Sequence, residues 1–162
     1  MSNKKILVAY FSASGQTARL AKTLAETTHA DLFAIEPETP YTPADLDWND
    51  NTSRSTVEMR DPSSRPAIAK RVKSMDSYET VFVGFPIWWG VAPHIINAFL
   101  ESYDFSGKTV IPFATSGGSG MGSTDSVLKG SCPSAAAWRT GKLLRSSASG
   151  HSLESWVKGL GL

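Results

Sequence analysis

Apolar residues recur along the chain in short blocks, and the spacing within each block predicts the element that it forms. Four blocks are nearly continuous apolar runs, which are typical of strands covered on both faces of a sheet. They predict strands at residues 4–11, 31–35, 80–85 and 108–115. Two further blocks carry apolar residues three and four positions apart, which predicts helices at 16–28 and 91–102.

The remaining patterns are weaker. They predict short helices at 67–75, 123–129 and 153–160, and a fifth strand within 135–144. Residues 36–66 are rich in proline and polar residues and show no clear period. So long an excursion is unusual in a compact domain unless it has a function.

Strands that alternate with helices indicate a parallel sheet with helices on both faces. We therefore expect residues 1–162 to form a single α/β domain, a three-layer, doubly wound five-stranded sheet of order 2-1-3-4-5. Pro112 lies inside the fourth predicted strand, where it removes a backbone donor. It is expected at a bulge, or on the side that faces a weakly paired fifth strand.

Composition narrows the functional classes. The 162 residues are 41% hydrophobic and 19% charged, as in a globular domain, and the net charge of +1 argues against nucleic-acid binding. A single cysteine, Cys132, excludes an internal disulfide framework and fits a reducing, cytoplasmic compartment. Apolar runs fall far short of the roughly 20 residues of a membrane span, so no membrane association is expected.

Ligands of such sheets bind at the carboxyl ends of the strands, so the loops after strands one, three and four are the candidate site. The first loop runs from Ser12 through Ser14, Gly15 and Gln16 to Thr17 and enters a helix. Helix N-termini favour anions, and three hydroxyls suit a phosphate monoester. A Walker loop would need Gly-Lys-Ser/Thr, which is missing. The alternative is a plain helix cap supplied by Ser14.

The second loop contains two adjacent tryptophans. Its residues are Pro86, Ile87, Trp88, Trp89 and Gly90. Indoles at the end of a strand offer a flat, apolar wall to an aromatic ligand. We expect one indole to pack in the core and the other to contact the ligand, and the sequence does not say which.

The third loop is rich in glycine. Its candidate residues are Thr115, Ser116, Gly117, Gly118 and Gly120. Glycines permit close backbone approach, so this loop could offer N–H and C=O groups to the edge of a heteroaromatic ring. The alternative is a flexible turn.

Other candidates are less specific. The three histidines have no metal-binding spacing. His94 opens a helix beside the second loop and could reach the site, but as a lone histidine we expect it to be a surface or capping residue. Trp48 and Glu58 lie in the long excursion, where they could cover a ligand or belong to a solvated loop. No metal site and no catalytic residue is predicted.

At the three loops the sequence resembles the flavodoxin family. The opening pattern of that family is matched by Val8, Tyr10, Ser12, Gly15, Thr17, Ala21 and Leu24. The resemblance implies FMN as cofactor, with the first loop on its phosphate, residues 86–90 along its isoalloxazine ring and residues 115–120 at the pyrimidine edge. It implies an electron carrier, or alternatively an NAD(P)H-dependent oxidoreductase of the quinone or flavin reductase type.

Two departures keep both alternatives open. Electron-carrier flavodoxins are usually acidic, whereas this chain carries +1, and its third loop lacks the aromatic residue common in carriers. The expected partner is thus a redox protein, or NAD(P)H with a small electron acceptor, and a homodimer is left open. Two other classes fit poorly. A response-regulator-like module lacks its acidic cluster, and a serine hydrolase built on Ser119, Asp125 and His151 lacks the nucleophile elbow.

Overall fold

The structure is a computed structural model that describes residues 5–13, 15–115, 124–132, 137–139, 141–145 and 147–160. Within these ranges the chain forms strands, α-helices and one short 3-10 helix, Met75–Ser77. The strands are β1 (Lys5–Tyr10), β2 (Asp31–Ala34), β3 (Tyr78–Pro86), β4 (Thr109–Thr115), β5 (Ala137–Trp138) and β6 (Lys142–Leu143). The helices are α1 (Gln16–Thr28), α2 (Arg54–Arg60), α3 (His94–Glu101), α4 (Thr124–Ser131) and α5 (Gly150–Gly159).

The strands form a parallel sheet in the order β2-β1-β3-β4-β5, which confirms the predicted fold. The order reverses between β1 and β3. Successive side chains of β3 point to opposite faces, so Val81 and Val83 pack with α3 while Phe82 packs with α1 and α5. Leu20 and Phe99, on opposite faces, are both fully buried. The near-continuous apolar runs are explained by this two-sided burial.

Pro112 occupies a strand position without a bulge. The pairing of β3 with β4 runs without a shift, Val83 opposite Pro112. On the other side, the carbonyls of Val110 and Ala114 accept hydrogen bonds from the N–H groups of residues 139 and 144. Alternate residues of a strand face the same neighbour, so the nitrogen of Pro112 lies on the side of β5 and β6, the second of the two expected positions. The segment predicted as a fifth strand forms two short strands, β5 and β6.

The helix predicted at residues 67–75 is wrong. This segment lies extended beside residues 36–38, where Ala69 N–H donates to Glu36 O at 2.7 Å and Glu38 N–H to Ala67 O at 2.9 Å. Its apolar side chains Ile68 and Val72 pack on the core. Long-range backbone pairing has overridden a weak helical pattern.

Residues 36–66, the arm, are more ordered than the sequence suggests. They contain α2, capped by Ser53, whose Oγ accepts from the N–H of Thr56. Three acidic residues hold turns in the arm: Asp45 accepts from the N–H of residue 42, Asp47 from that of residue 49, and Asp50 from that of residue 52. Such short-range bonds rigidify a loop that lacks sheet pairing. No helix in the described part of the chain is long and apolar enough to cross a bilayer.

Candidate functional site

The loops after β1, β3 and β4 converge at one end of the sheet. The hydroxyls of Thr17, in α1, and Thr115, at the end of β4, are 2.8 Å apart and buried. The Ile87 N–H donates to the carbonyl of Thr115 at 2.8 Å. The described parts of the three predicted loops therefore meet where the strand order reverses, which is where ligands of such sheets bind.

The N-terminus of α1 is open to an anion. Its N-cap is Gly15, at φ 90°, which has no side chain with which to cap the helix. The backbone N–H of Gly15 donates to Ser12 Oγ at 3.0 Å, and the first helical bond is made by Arg19. The N–H groups of residues 16–18 therefore have no partner within the helix. Ser14 lies outside the described residues, and Gln16 is exposed.

The second loop is a tight turn that separates the two tryptophans. Trp88 and Val91 exchange backbone hydrogen bonds at 2.8 and 3.2 Å, with Trp89 and Gly90 between them at φ 50° and 79°. Positive φ at both central positions is the geometry of a type I′ turn, and it costs a bulky residue about 1–3 kcal/mol. Strain at an exposed indole suggests that its position is functional.

The turn sends the two indoles into different environments. Trp88 packs edge-on against Phe11 and Tyr41, with ring centroids 5.7 and 5.6 Å apart. Trp89 is 51% exposed. Pro86, Ile87 and Gly90 are partly buried around them. The structure thus distinguishes a packed from an accessible tryptophan, which the sequence could not do.

The third loop lies mostly beyond what the structure describes. Thr115 is buried and contacts Thr17 as above, but Ser116, Gly117, Gly118 and Gly120 fall outside the described residues. Their predicted role at a heteroaromatic edge therefore stays a prediction.

The arm approaches the second loop and forms clefts with it. Trp48, 69% exposed, lines a cleft of about 240 Å³ and an adjoining one of about 370 Å³ together with Trp89. The other lining residues are Leu46, Ser55, Ile87 and Trp88 in the first cleft and Asn51, Thr56, Met59 and Arg60 in the second. Sequence reasoning missed most of these arm residues, and an isolated tryptophan in a polar segment was the one signal available.

Comparison with known proteins assigns the family. A model of the flavodoxin family matches residues 5–160. The chain belongs to the flavodoxin family. No curated protein matches the sequence.

Several solved structures are similar to this flavodoxin-family chain. A candidate flavoprotein from Bacteroides eggerthii is 49% identical, with 99% of each chain covered and a TM-score of 0.93. One from Bacteroides uniformis is 50% identical over 97% of this chain and 99% of its own, with a TM-score of 0.90. A Lactobacillus acidophilus flavoprotein in complex with FMN shares the fold at 19% identity, with 98% and 99% coverage and a TM-score of 0.73.

A charged cluster fastens the arm of this flavodoxin-family chain. The Glu58 carboxylate accepts a hydrogen bond from the hydroxyl of Tyr41 and another from Arg54 Nε at 2.9 Å. The Arg54 guanidinium also stacks over the Tyr41 ring, 3.9 Å from its centroid. Burial, followed by the bond to Glu58, raises the pKa of Tyr41 well above its usual value. The Glu58 carboxylate therefore binds Tyr41 and Arg54 within the arm and is not directed into either cleft.

His94 fastens the far end of the arm, and the expectation of a surface position is wrong. It opens α3, is 8% exposed, and its Nδ1 lies 2.6 Å from Ser64 Oγ. The Ser64 hydroxyl has one hydrogen, which it donates to the carbonyl of Glu58 at 2.6 Å. Nδ1 therefore donates to Ser64, which fixes the neutral ring as the Nδ1–H tautomer. Burial, with a contribution from Arg65, lowers the pKa of His94 below its ordinary 6.5.

Among the described residues, no group of three or more His, Cys, Asp or Glu side chains is placed to hold a metal ion. The described residues that line the two clefts carry indole, aliphatic, thioether, hydroxyl and amide groups and one guanidinium. Such a set is suited to a flat molecule, and it includes no carboxylate or histidine that could act as a general base.

Proposed function

We propose that this protein binds FMN at the carboxyl ends of β1, β3 and β4 and carries electrons through it. The observation that carries the proposal is the open N-terminus of α1 at the point where the strand order reverses. Gly15 supplies no side-chain cap of its own, and Thr17 places a hydroxyl in the first turn of the helix. Backbone donors and a helix dipole suit a phosphate group.

The residues fit the rest of the cofactor as well. An exposed indole, Trp89, stands at the end of β3, where a flat ring bound above the switch point would meet it. Ser12, Ser14, Gly15, Gln16 and Thr17 would hold the phosphate. Residues 86–90 would line the isoalloxazine ring, and residues 115–120 would meet its pyrimidine edge. Bound FMN supplies one- and two-electron chemistry, and the protein supplies position and electrostatics.

The comparisons support this cofactor. The family model covers nearly the whole chain, and the Lactobacillus acidophilus protein of the same fold is a complex with FMN. Within the proposal, the electron donor is a redox protein that docks near the site.

An NAD(P)H-dependent oxidoreductase is the second candidate. The observation in its favour is the net charge of +1, since carriers that are steered to redox proteins by charge need a strong field of one sign. A small donor such as NAD(P)H needs no such steering. In this case a nicotinamide would stack on the accessible face of the flavin.

One anaerobic experiment tests the proposal and separates the two candidates. The flavin-free protein is titrated with FMN, and the visible spectrum of the complex is followed after addition of NADPH or NADH. A carrier binds FMN and stays oxidised until a separate reductase is added. Rapid bleaching by the nicotinamide alone establishes the oxidoreductase instead. Absence of any FMN binding at micromolar concentration overturns both.

A further inference from the structure

We infer that the outer edge of β2 forms a groove that binds an extended, acidic segment of another protein. The groove is a cavity of about 540 Å³ between β2 and residues 70–73, which we call the strap. Strand β2 lies at one edge of the sheet, and β1 is its one partner among the described strands. The outer side of an edge strand presents backbone groups that can pair with another chain.

The hydrogen bonds of β1 show which backbone groups of β2 point outward. The N–H of Ile35, directly after β2, donates to a carbonyl of β1 at 2.6 Å. Because the backbone groups of alternate residues face the same neighbour, those of Leu32 and Ala34 face away from β1. The groove therefore has unpaired strand positions along one side.

The strap runs beside β2 without pairing with it. Pairing along this edge ends at Ala69, whose N–H donates to the carbonyl of Glu36 at 2.7 Å. The strap bonds elsewhere, since the N–H of Val72 donates to the hydroxyl of Tyr103 at 2.8 Å and the guanidinium of Arg71 stacks over the same ring. Among the described residues, no backbone hydrogen bond joins β2 to the strap. A gap is left where the pairing would continue, and this gap is the groove.

The lining of the groove combines apolar side chains with cations. The apolar lining residues are Leu7, Leu32, Phe33 and Val72, and the cations are Lys70, Arg71 and Lys73, all three exposed. The one carboxylate among the described lining residues belongs to Asp31, and it accepts a hydrogen bond from the hydroxyl of Tyr78 at 2.7 Å. Three cations against one carboxylate favour a partner that is negatively charged.

Two of the three cations can exchange or accept a partner. Lys73 takes part in none of the ion pairs between described residues. Lys70 lies 3.4 Å from Glu36, and both side chains are at least half exposed. Such a pair contributes little to stability, so a carboxylate of the bound segment can replace Glu36. Arg71 is held more firmly, since it also donates to the carbonyl of Ser102 at 2.9 Å.

The groove lies at the opposite end of the sheet from the proposed cofactor site. Asp31 and Tyr78 are the first residues of β2 and β3, whereas the three loops of the cofactor site follow the last residues of their strands. No described residue of those loops lines the groove. Binding at the groove therefore does not depend on the proposed function.

Titration with a short peptide tests the groove. The probe is a heptapeptide of alternating glutamate and valine, blocked at both ends, and its comparator has glutamine in place of glutamate. The expected result is one probe per chain, bound equally by the FMN-free and the FMN-saturated protein, with the comparator about fivefold weaker or more. In NMR spectra the amide signals of residues 31–34 and 70–73 should shift, and those of residues 15–17 should not.

Three outcomes of this titration would overturn the inference. They are absence of binding at 1 mM, displacement of the probe by FMN, and shifts confined to other parts of the chain. If FMN does not bind at all, the proposed function fails, and the peptide titration still decides the inference.

Methylated probes test the pairing with the strand edge. One version carries N-methyl groups at the valines and another carries them at the glutamates, so each lacks the donors on one side of the extended peptide. At least one version should bind about tenfold more weakly than the parent. If both bind as tightly as the parent, the groove holds an acidic group without strand pairing, and the inference is wrong.

A lysine substitution tests the charge. Lys73→Gln should weaken the acidic probe by about two- to fivefold and leave the glutamine comparator unchanged. Lys22→Gln, which removes an exposed lysine from α1, is the matched control and should leave both affinities unchanged. Equal weakening of the acidic probe by the two substitutions would mean that it responds to net charge alone, which contradicts a groove at the strap.

Discussion

The sheet and the arm of this protein are held in place by different forces. Strands β1, β3 and β4 pair along their whole lengths and are buried on both faces by apolar side chains. The arm has one isolated bridge, Pro37 to Ile68, and one aromatic contact, Tyr41 on Phe11 and Trp88. It is held mainly by side-chain hydrogen bonds, which include those of the charged cluster and that of Ser64 with His94. Strand pairing in the sheet determines where the loops begin, whereas the hydrogen bonds within the arm determine the conformation of the arm.

The difference should appear in the way each region fails. Removal of an apolar side chain from the sheet lowers the stability of the whole domain, because a cavity is left in a shared core. Loss of a hydrogen bond in the arm should open the arm alone, since most of its bonds lie within the arm and not in the shared core. Substitutions in the sheet and in the arm can distinguish a loss of stability of the whole domain from local opening of the arm.

The largest effect is expected at Phe113. Its ring is fully buried in β4, and substitution by Ala should lower the free energy of unfolding by about 3–5 kcal/mol, measured in urea. The ring lies where a side chain on Gly84 would be, with 2.2 Å between an added Cβ and Phe113 Cζ. Gly84→Ala alone should therefore cost about 1–3 kcal/mol through overpacking.

The two substitutions should not be additive. In a Phe113→Ala background the space that Gly84→Ala needs is free, so the added cost should nearly vanish. Equal costs of Gly84→Ala in both backgrounds would mean that the glycine is needed for its backbone and not for the ring of Phe113.

The contrast between sheet and arm also explains what the sequence could predict. The buried strands and the helices α1 and α3 are predictable, because burial on both faces leaves a continuous apolar run in a strand and burial on one face leaves a helical period. The arm is not, because its order comes from individual acids such as Asp47 and Asp50, each of which bonds two residues ahead. Such bonds leave no periodic pattern. Residues 67–75 were misassigned for a related reason, since their pairing partner lies some thirty residues earlier.

The site was predicted in part for the same reason. The carboxyl ends of parallel strands lie along one edge of the sheet, so the fold alone predicts that the first loop approaches the end of β4. The fold alone does not predict that Trp48 approaches Trp89, because this approach depends on the path of the arm. The burial of His94 was also missed, since its partner Ser64 belongs to the arm.

Glu58→Gln should open the arm and leave the sheet intact. The amide oxygen can still accept from Arg54, but the charge is lost, and replacing a charged hydrogen bond by a neutral one should cost about 1–3 kcal/mol locally. Hydrogen exchange of residues 53–60 should accelerate while the urea midpoint stays nearly constant. Glu36→Gln is the matched control, since Glu36 pairs only loosely with Lys70, at 3.4 Å. A comparable loss of global stability would place the cluster in the common core.

Thr17→Ala should weaken FMN binding by about 1–3 kcal/mol, the range for a buried polar partner left unsatisfied. The substitution also leaves the hydroxyl of Thr115 without its partner at 2.8 Å. Thr17→Ser keeps a hydroxyl and should retain most of the affinity. The two variants are compared by fluorescence titration with FMN. An Ala variant that binds FMN as tightly as the wild type contradicts the placement of the phosphate at the start of α1.

The smallest effect on stability is expected when the pH is lowered, and it arises at the contact between the arm and α3. Because the folded protein lowers the pKa of His94 below 6.5, the unfolded chain takes up a proton more readily than the folded one. The stabilisation is thus complete above about pH 6.5 and declines as the pH falls below that value. Arg65, which contributes to the lowered pKa, opposes a charged ring, whereas the carbonyl of Glu58 and the carboxylate of Asp61 favour it.

His94→Asn separates this titration from the hydrogen bond, because an amide can donate to Ser64 and does not ionise. The thermal midpoint of the wild type should fall between pH 7 and pH 5 by more than that of the Asn variant. His151→Gln, which removes an exposed histidine from α5, is the matched control for the loss of a histidine elsewhere. If hydrogen exchange at the end of the arm accelerates in acid before that of β3 does, the contact between Ser64 and His94 is where the arm first separates from the sheet. Simultaneous acceleration in both regions would mean that the arm is as much a part of the core as the strands are.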